Sequence, residues 1–447
     1  MSTDHHDFAP VDATAFRTAP VDEASRARLA DGGLEYRLVP VESEAYEPWL
    51  QVVTRGFLGP ESTDEQTAAI RERSGYRRTT GVYDPTTPVA DAPVATIASW
   101  IAPLTVPGGS SILSCAISAV TVAPTHRRRG IARAMLEGEL RAAAAAGAPM
   151  AMLTVSESPL YGRYGFAPAA AAATWRIDVK RASWIGPRPS GRVDFIPRET
   201  ARDHLQELHP RVRRRDAGEI GLDPAWWDGF AGTRPDAQNA GGKRAVRYAD
   251  ADGALRGVAV YSVRENDDDF TKATVTLSYL VADTDDAYAA LWRFFIELDL
   301  VAEVRADLLS VDEPLLWMLS DQRAATVTVS DHQYVRILDV PTALEARSYG
   351  AAGELVLDVA DPLGFAHGRW LLSVDGEGRG TVSPLDPGHV PDGATEVVLG
   401  IEELSAVYLG GVSLATLAAA GRVQSADAAT AARVFGWHRA PRLSIWY

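Results

Sequence analysis

A single cysteine stands among 447 residues. Cys115 alone excludes an intramolecular disulfide framework. Its setting, the apolar and β-branched stretch ILSCAISAVTV, reads as a buried strand and not as a reactive thiol, which needs exposure and a neighbouring base. No run approaches 18 consecutive apolar residues, so no membrane span and no membrane partner are expected. The first thirty residues lack the basic start and apolar middle of a secretory signal. They read as a flexible tail over residues 1–33, with a cytoplasmic setting expected for the rest. Basic residues are outnumbered, 44 Lys+Arg against 59 Asp+Glu, for a formal charge of −15. That balance argues against a nucleic-acid partner, whose phosphates demand basic faces. It suits cationic ligands, or solubility alone. No metal is expected: the acidic run at Asp267, Asp268 and Asp269 is too short and glycine-free for a calcium loop, and His5 and His6 lie in the tail.

What is present is globular, with 46% apolar and 23% charged residues and a length calling for two to four domains. Three regions emerge. Over residues 34–180, PVATIASWIAPLTV and SILSCAISAVTVAP read as strands joined at PGGS. A helix follows, with Ile131 four residues before Met135, and then the short strand PMAMLTV. Over 181–342 a strand–strand–helix order returns without the features described next, and RVRRR at 211–215 reads as a solvated or subunit-facing surface. Over 343–447 a meander of short strands precedes helices and the final APRLSIWY.

The run VTVAPTHRRRGIARAMLEGEL places three arginines and a glycine between a strand and a helix. The first N–H groups of a helix lack internal partners and sit at its positive pole. Gly130 admits close approach, and guanidinium forks pair with phosphate oxygens. The arrangement suits a pyrophosphate, yet neither a Walker A loop nor a dinucleotide fingerprint is present. Arg127-Arg128-Arg129-Gly130-Ile131-Ala132 after a Val-x-Val strand resembles the acetyl-CoA motif of the GNAT N-acetyltransferases. LYGRYGF resembles a second signature of that superfamily, a tyrosine shortly before Gly-Phe; Tyr161 is the favoured catalytic tyrosine and Tyr164 its competitor, with packing in a wet cleft the role both would otherwise have.

VTVAPTHRRRG, SESPLYGRYGFAP, FLGPES, LTVPGG, LDVPTALEARSY, VYLGG and LATLAAA together resemble a narrower group, the Eis (enhanced intracellular survival) acetyltransferases of actinobacteria, across all three regions. The resemblance implies an α/β (α+β) architecture: tandem GNAT folds with mixed central sheets, the second degenerate, then a sterol-carrier-like domain. It implies a homohexamer and direct acetyl transfer from acetyl-CoA to primary amines of aminoglycosides, polyamines or lysines. It further implies that Val120, Thr121 and Val122 line the pantetheine arm, that Arg127, Arg128, Arg129, Gly130, Ile131 and Ala132 surround the pyrophosphate, and that Ser156 lies near the thioester. Tyr161 becomes the general acid and the carboxylate of Tyr447 the general base. Phe57 and Trp446 become pocket-lining aromatics, although Arg55-Gly56 before Phe57 departs from the acidic and aromatic amine pocket of the family. A carrier or regulator that binds acyl-CoA or lipid, with a vestigial GNAT domain, is the alternative.

The chemistry sets one difficulty. A departing thiolate, with a thiol pKa of about 8.5, must draw a proton from a tyrosine near 10. That is uphill by about 2 kcal/mol, and Arg163 or a helix N-terminus is expected to lower the tyrosine's pKa and close the gap.

Overall fold

The computed structural model of the chain describes residues 11–234, 236–237 and 240–447. In chain order the elements are α1 (Ala13–Thr18), α2 (Glu23–Ala30), β1 (Glu35–Leu38), α3 (Tyr46–Gly56), α4 (Asp64–Ser74), β2 (Arg78–Tyr83), β3 (Ala95–Thr105), β4 (Ser111–Val122), α5 (Ile131–Ala145), β5 (Met150–Thr154), β6 (Ala167–Asp178), β7 (Arg192–Ile196), α6 (Arg198–Val212), α7 (Ala225–Ala231), β8 (Lys243–Ala249), β9 (Leu255–Arg264), β10 (Ala273–Ala282), α8 (Asp285–Ile296), β11 (Val301–Leu309), β12 (Ala325–Ile337), α9 (Val340–Glu345), β13 (Gly353–Ala360), β14 (Gly368–Val374), β15 (Gly380–Pro384), β16 (Thr395–Gly400), α10 (Ile401–Val407), α11 (Leu414–Ala419) and α12 (Ala428–Phe435).

The chain forms two compact units. Of the described residues, the first holds 11–169, 333–438 and 447; the second holds those within 170–332 and 439–446. In the first unit β1 to β4 form an antiparallel meander. Helix α5 then carries the chain across to β5, which lies parallel to β4, and residues 333–337 of β12 close the far side antiparallel to β5. The crossover is of the kind parallel neighbours require. The second unit repeats the plan. Strands β7 to β10 form the meander, α8 leads to β11 parallel to β10, and β6 closes the far side. The first unit also contains a smaller sheet in the order β15-β14-β13-β16, with β13 and β16 parallel. The architecture is therefore α/β, with mixed sheets covered by helices. Among the described residues no helix is long and apolar enough to cross a membrane.

The expected tail needs correction. Residues 13–18 and 23–30 are helices, N-capped by the Asp12 and Asp22 side chains. Helices this short cannot sustain themselves in water, so contacts with the rest of the unit must hold them. Phe16 and Leu29 are buried in the core, and the Ser25 hydroxyl donates to the Ala134 carbonyl at 2.6 Å. Arg141 grips both carboxylate oxygens of Asp22 at 3.0 and 2.7 Å. Beneath α1 the buried Arg78 pairs with Glu139 of α5 at 3.0 Å and donates to the carbonyls of Phe16, Ala19 and Pro20. Removing one member of such a buried pair costs about 3–5 kcal/mol. His5 and His6 lie outside the described residues.

In the second unit His209 of α6 is buried against Trp227, with ring centroids 4.9 Å apart. Its Nε2 has no hydrogen-bond partner among the described residues. Burial, then the charges of Arg213 and Arg442, push its pKa from 6.5 down to about 4. A depressed folded-state pKa gives stability that is complete above the unfolded value and lost as pH falls through the folded one. Between pH 6.5 and 4 His209 is therefore expected to withdraw up to about 3 kcal/mol. Chemical denaturation of wild type and His209→Phe across that range checks this: the variant should show the shallower decline, and parallel curves would refute the assignment.

Candidate active site

The site begins with one surplus residue. Opposite β3, Ala98 faces Ser118 and Thr96 faces Thr121, so β4 carries an extra residue between them. This β-bulge holds Ala119 at φ 51°, a left-handed conformation costing a non-glycine residue about 1–2 kcal/mol. Thr96 fixes it: its hydroxyl donates to the Ala119 carbonyl at 2.8 Å and therefore accepts from the Thr121 hydroxyl at 2.7 Å. Pairing of β4 with β5 ends just before the bulge, at Ile117 and Leu153. Beyond it the two parallel strands part, and Val120, Thr121 and Val122 have no β5 partner. A Cβ on Gly56, at the end of α3, would stand 2.6 Å from Thr121 Cγ2. Glycine there lets α3 seat directly on the bulged strand. The next residues, Phe57 and Leu58, are 54% and 96% exposed.

After Val122 the chain makes a short turn over Pro124–His126 and reaches α5. His126 is buried; Nδ1 lies 2.8 Å from the Thr125 hydroxyl and Nε2 3.2 Å from Asp84. Arg129, its side chain 39% exposed, also ties the loop down, with one nitrogen 3.3 Å from Asp84 and another donating to the Gly32 carbonyl at 3.1 Å. Hydrogen bonds from Thr86, with further contributions from His126 and Arg129, hold the Asp84 carboxyl well below the usual range. The Arg129 guanidinium thus also anchors the loop. Arg127 and Arg128 are exposed and make no ion pair among the described residues. Arg128 has φ 62° and Gly130 φ 75°. No side chain caps Gly130, and no acid occupies the first turn of α5. A Cβ on Gly130 would meet nothing within 4 Å. Ile131 is buried and Ala132 half-buried, so they can offer a ligand their backbone N–H groups. An uncapped positive pole, two free guanidiniums and open space are what a pyrophosphate requires.

The second unit makes the contrast. Its fourth strand, β10, also carries an extra residue, between Leu277 and Tyr279, and pairing with β11 ends just before it, at Thr276. Here Tyr279, the residue after the bulge, is buried with its ring 4.4 Å from that of Phe230 and its hydroxyl 2.9 Å from the Ser444 hydroxyl. The following helix is capped by Thr284 and opens with Asp285 and Asp286. Capping satisfies the free N–H groups and the acids neutralise the dipole, so this helix start repels an anion. Within RVRRR, Arg215 pairs with Asp283 at 3.0 Å and Arg211 with Glu207 at 3.8 Å.

Tyr161 lies in the first unit between two short helical turns, Ser158–Leu160 and Gly162–Tyr164. Its ring meets Phe166 edge-on at 6.3 Å. Burial raises its pKa, with Glu157 and Tyr164 adding to the effect. The expected lowering by Arg163 is therefore corrected: that charge acts on Tyr164, itself raised by burial and 5% exposed. Ser156 is exposed just beyond β5. At the end of β5, the Thr154 hydroxyl donates to the main-chain oxygen of Tyr447 at 2.6 Å. The Tyr447 ring packs edge-on against Trp100, with centroids 5.2 Å apart. Thr96, Trp100 and Thr154 escaped the sequence reading, for strand residues at those positions carry no motif. Trp446, by contrast, belongs to the second unit, 51% exposed and 5.2 Å from the His332 ring. Among the described residues no cluster of three or more His, Cys, Asp or Glu side chains is placed to hold a metal ion.

Comparison with known proteins bears on this geometry. Residues 37–169 match an acetyltransferase (GNAT) domain, residues 218–337 a second acetyltransferase (GNAT) domain, and residues 340–444 a sterol carrier protein domain. The chain is thus an N-acetyltransferase of the GNAT type, with two such folds in tandem and a sterol-carrier-like domain after them. An uncharacterized N-acetyltransferase of Streptomyces avermitilis is 37% identical over 86% of this chain and 91% of its own length. N-acetyltransferase Eis of Mycobacterium bovis (strain BCG / Pasteur 1173P2) is 33% identical over 72% of this chain and 77% of its own. The crystal structure of Eis1 from Mycobacterium abscessus, 27% identical, superposes with a TM-score of 0.77, covering 93% of this chain and 100% of that one. The chain belongs to the Eis family of N-acetyltransferases.

GNAT acetyltransferases use acetyl-CoA, and the bare start of α5 fits its pyrophosphate. Arg128→Ala is expected to weaken acetyl-CoA binding by about 1.5–3 kcal/mol, the scale of a charge-assisted hydrogen bond. Arg129→Ala, which leaves the two exposed guanidiniums in place, should cost less. Calorimetric titration of both variants checks the order, and equal losses would contradict the division of roles.

Proposed function

We propose that the chain acetylates primary amines of small cationic molecules, such as amino sugars, polyamines or lysine side chains, by direct transfer from acetyl-CoA in the first unit. One juxtaposition carries the reading: a strand pair split by the Ala119 bulge opens beside an uncapped, acid-free helix start with two unpaired arginines. When bound, acetyl-CoA supplies an acetyl group activated as a thioester. Arg127, Arg128 and the first N–H groups of α5 hold its pyrophosphate. The unpaired backbone of Val120 to Val122 receives the pantetheine arm, with strand N–H groups available to an acyl oxygen. Ser156, on the exposed segment after β5, lies toward the thioester end.

An aliphatic amine with a pKa near ~10.4 must shed a proton before it attacks. The carboxylate of Tyr447 is assigned as the base. The Thr154 hydroxyl holds its main-chain oxygen at 2.6 Å, beside the Trp100 ring, which fixes where an incoming amine would meet it. Tyr161 is assigned as the acid. Its raised pKa keeps it protonated at neutral pH. The same desolvation raises the proton affinity of a thiolate leaving group, so the two shifts run together and the transfer does not depend on a lowered tyrosine pKa. The exposed Phe57 is assigned to the amine side, and the formal charge of −15 favours approach of cations. By the family relation the working assembly is proposed to be a homohexamer.

Tyr161→Phe is expected to lower kcat by roughly 10²–10⁴, the range of a lost general acid, while acetyl-CoA still binds. Thiol release from acetyl-CoA, measured across a panel of polyamines, amino sugars and lysine peptides, tests both the reaction and the amine class; no release with any of them would refute the reading. Extending the chain beyond Tyr447 by a few residues converts the proposed base into an amide. A fully active extended enzyme would remove that role.

A further inference from the structure

Residues that arrive far later in the chain hold the loop carrying Tyr161. The hydroxyls of Ser158 and Tyr334 lie 2.6 Å apart. Two residues on, and so on the same face of β12, Arg336 donates from Nε to the Tyr164 carbonyl at 3.2 Å. Both oxygens of Asp361 grip that guanidinium, at 2.8 and 2.7 Å, and the two side chains are 0% and 1% exposed. Asp361 in turn accepts the N–H groups of Leu363 and Ala366, so the sterol-carrier-like domain itself fixes it. The glycines of LYGRYGF permit the approach. A Cβ on Gly165, which has φ 84°, would stand 2.9 Å from Ile401 Cγ2 and 3.0 Å from Arg336 Nε; one on Gly162 would stand 3.3 Å from a Glu402 oxygen.

The Tyr161 hydroxyl makes no hydrogen bond among the described residues, so its aim depends on backbone and packing; its carbonyl accepts the Tyr164 N–H at 3.0 Å. Three residues before it and three after it, the chain is tied to β12. We propose that the Ser158–Tyr334 hydrogen bond and the Asp361–Arg336–Tyr164 chain are the device that positions the tyrosine acid. The sterol-carrier-like domain thereby takes part in acetyl transfer as a brace for the acid loop. The proposal rests on the assignment of Tyr161 as the acid, and these are positioning residues that do not touch the reacting atoms.

Ser158→Ala and Tyr334→Phe cut the same hydrogen bond from its two ends, the first at an exposed side chain where folding is not at stake. Arg336→Lys keeps a charge opposite Asp361 but loses the planar fork. Each is expected to lower kcat about tenfold through misplacement of the acid, with KM for acetyl-CoA changed less than about twofold. Introduced into Tyr161→Phe, none should lower kcat further. Wild-type kcat in both Ser158→Ala and Tyr334→Phe overturns the proposal, as does a loss confined to KM. Losses that multiply with that of Tyr161→Phe overturn it while the acid assignment stands. A Tyr161→Phe enzyme as fast as wild type removes the acid assignment, and this proposal with it.

Discussion

A single extra residue in β4 parts two strands that would otherwise pair to their ends. Three hydroxyl and carbonyl groups, on Thr96, Ala119 and Thr121, hold that bulge in a conformation alanine ordinarily avoids. Strain of this kind persists only where the surroundings over-determine it. Its consequences extend through the first unit. Backbone groups of β4 are released from the ladder, α3 seats on Thr121 at Gly56, and the free end of β5 places Thr154 where it receives Tyr447. Without the surplus residue β4 and β5 would zip together and leave no room for an extended ligand between them.

The bulge alone does not make a site. The second unit carries one at the equivalent place, between Leu277 and Tyr279, and there the residue beyond it is buried beneath Phe230. What separates the units is the electrostatics of the next helix. At α5 the positive pole is left bare and arginines surround it; at α8 Thr284 caps it and two aspartates compensate it. Tandem copies of one fold thus differ in the electrostatics of one helix start through a handful of residues. Repetition of the scaffold and divergence at the helix start are compatible, since the fold depends on the core and the local charge on the terminus.

Buried charge ties elements that are distant in the chain. Arg78 joins α1 to α5, and Arg336 joins β12 to Asp361. In the sterol-carrier-like domain Arg347 pairs with no acid among the described residues; its guanidinium donates to the carbonyls of Tyr408 and Phe435 and lies 4.4 Å over the Phe435 ring. These guanidiniums sit where several main-chain carbonyls converge, and that convergence is a property of the folded chain. Nothing in the local sequence around Arg78, Arg336 or Arg347 sets them apart from the arginines that face solvent.

The sequence alone determined the strand–turn–helix around Gly130, the glycines of LYGRYGF, the buried strand around Cys115 and the family to which they lead. All of these are written in neighbours a few residues apart, where conformational preference and motif spacing act. Only the tertiary structure decided that Arg129 pairs with Asp84 while Arg127 and Arg128 form no ion pair among the described residues, that burial raises the pKa of Tyr161, and that residues 13–18 and 23–30 fold into helices. Each of those outcomes depends on a partner tens or hundreds of residues away: Asp84 for Arg129, Ala134 for Ser25, Tyr334 for Ser158. Hydrogen bonds and desolvation are set by what surrounds a group in space, and spacing along the chain carries no record of it.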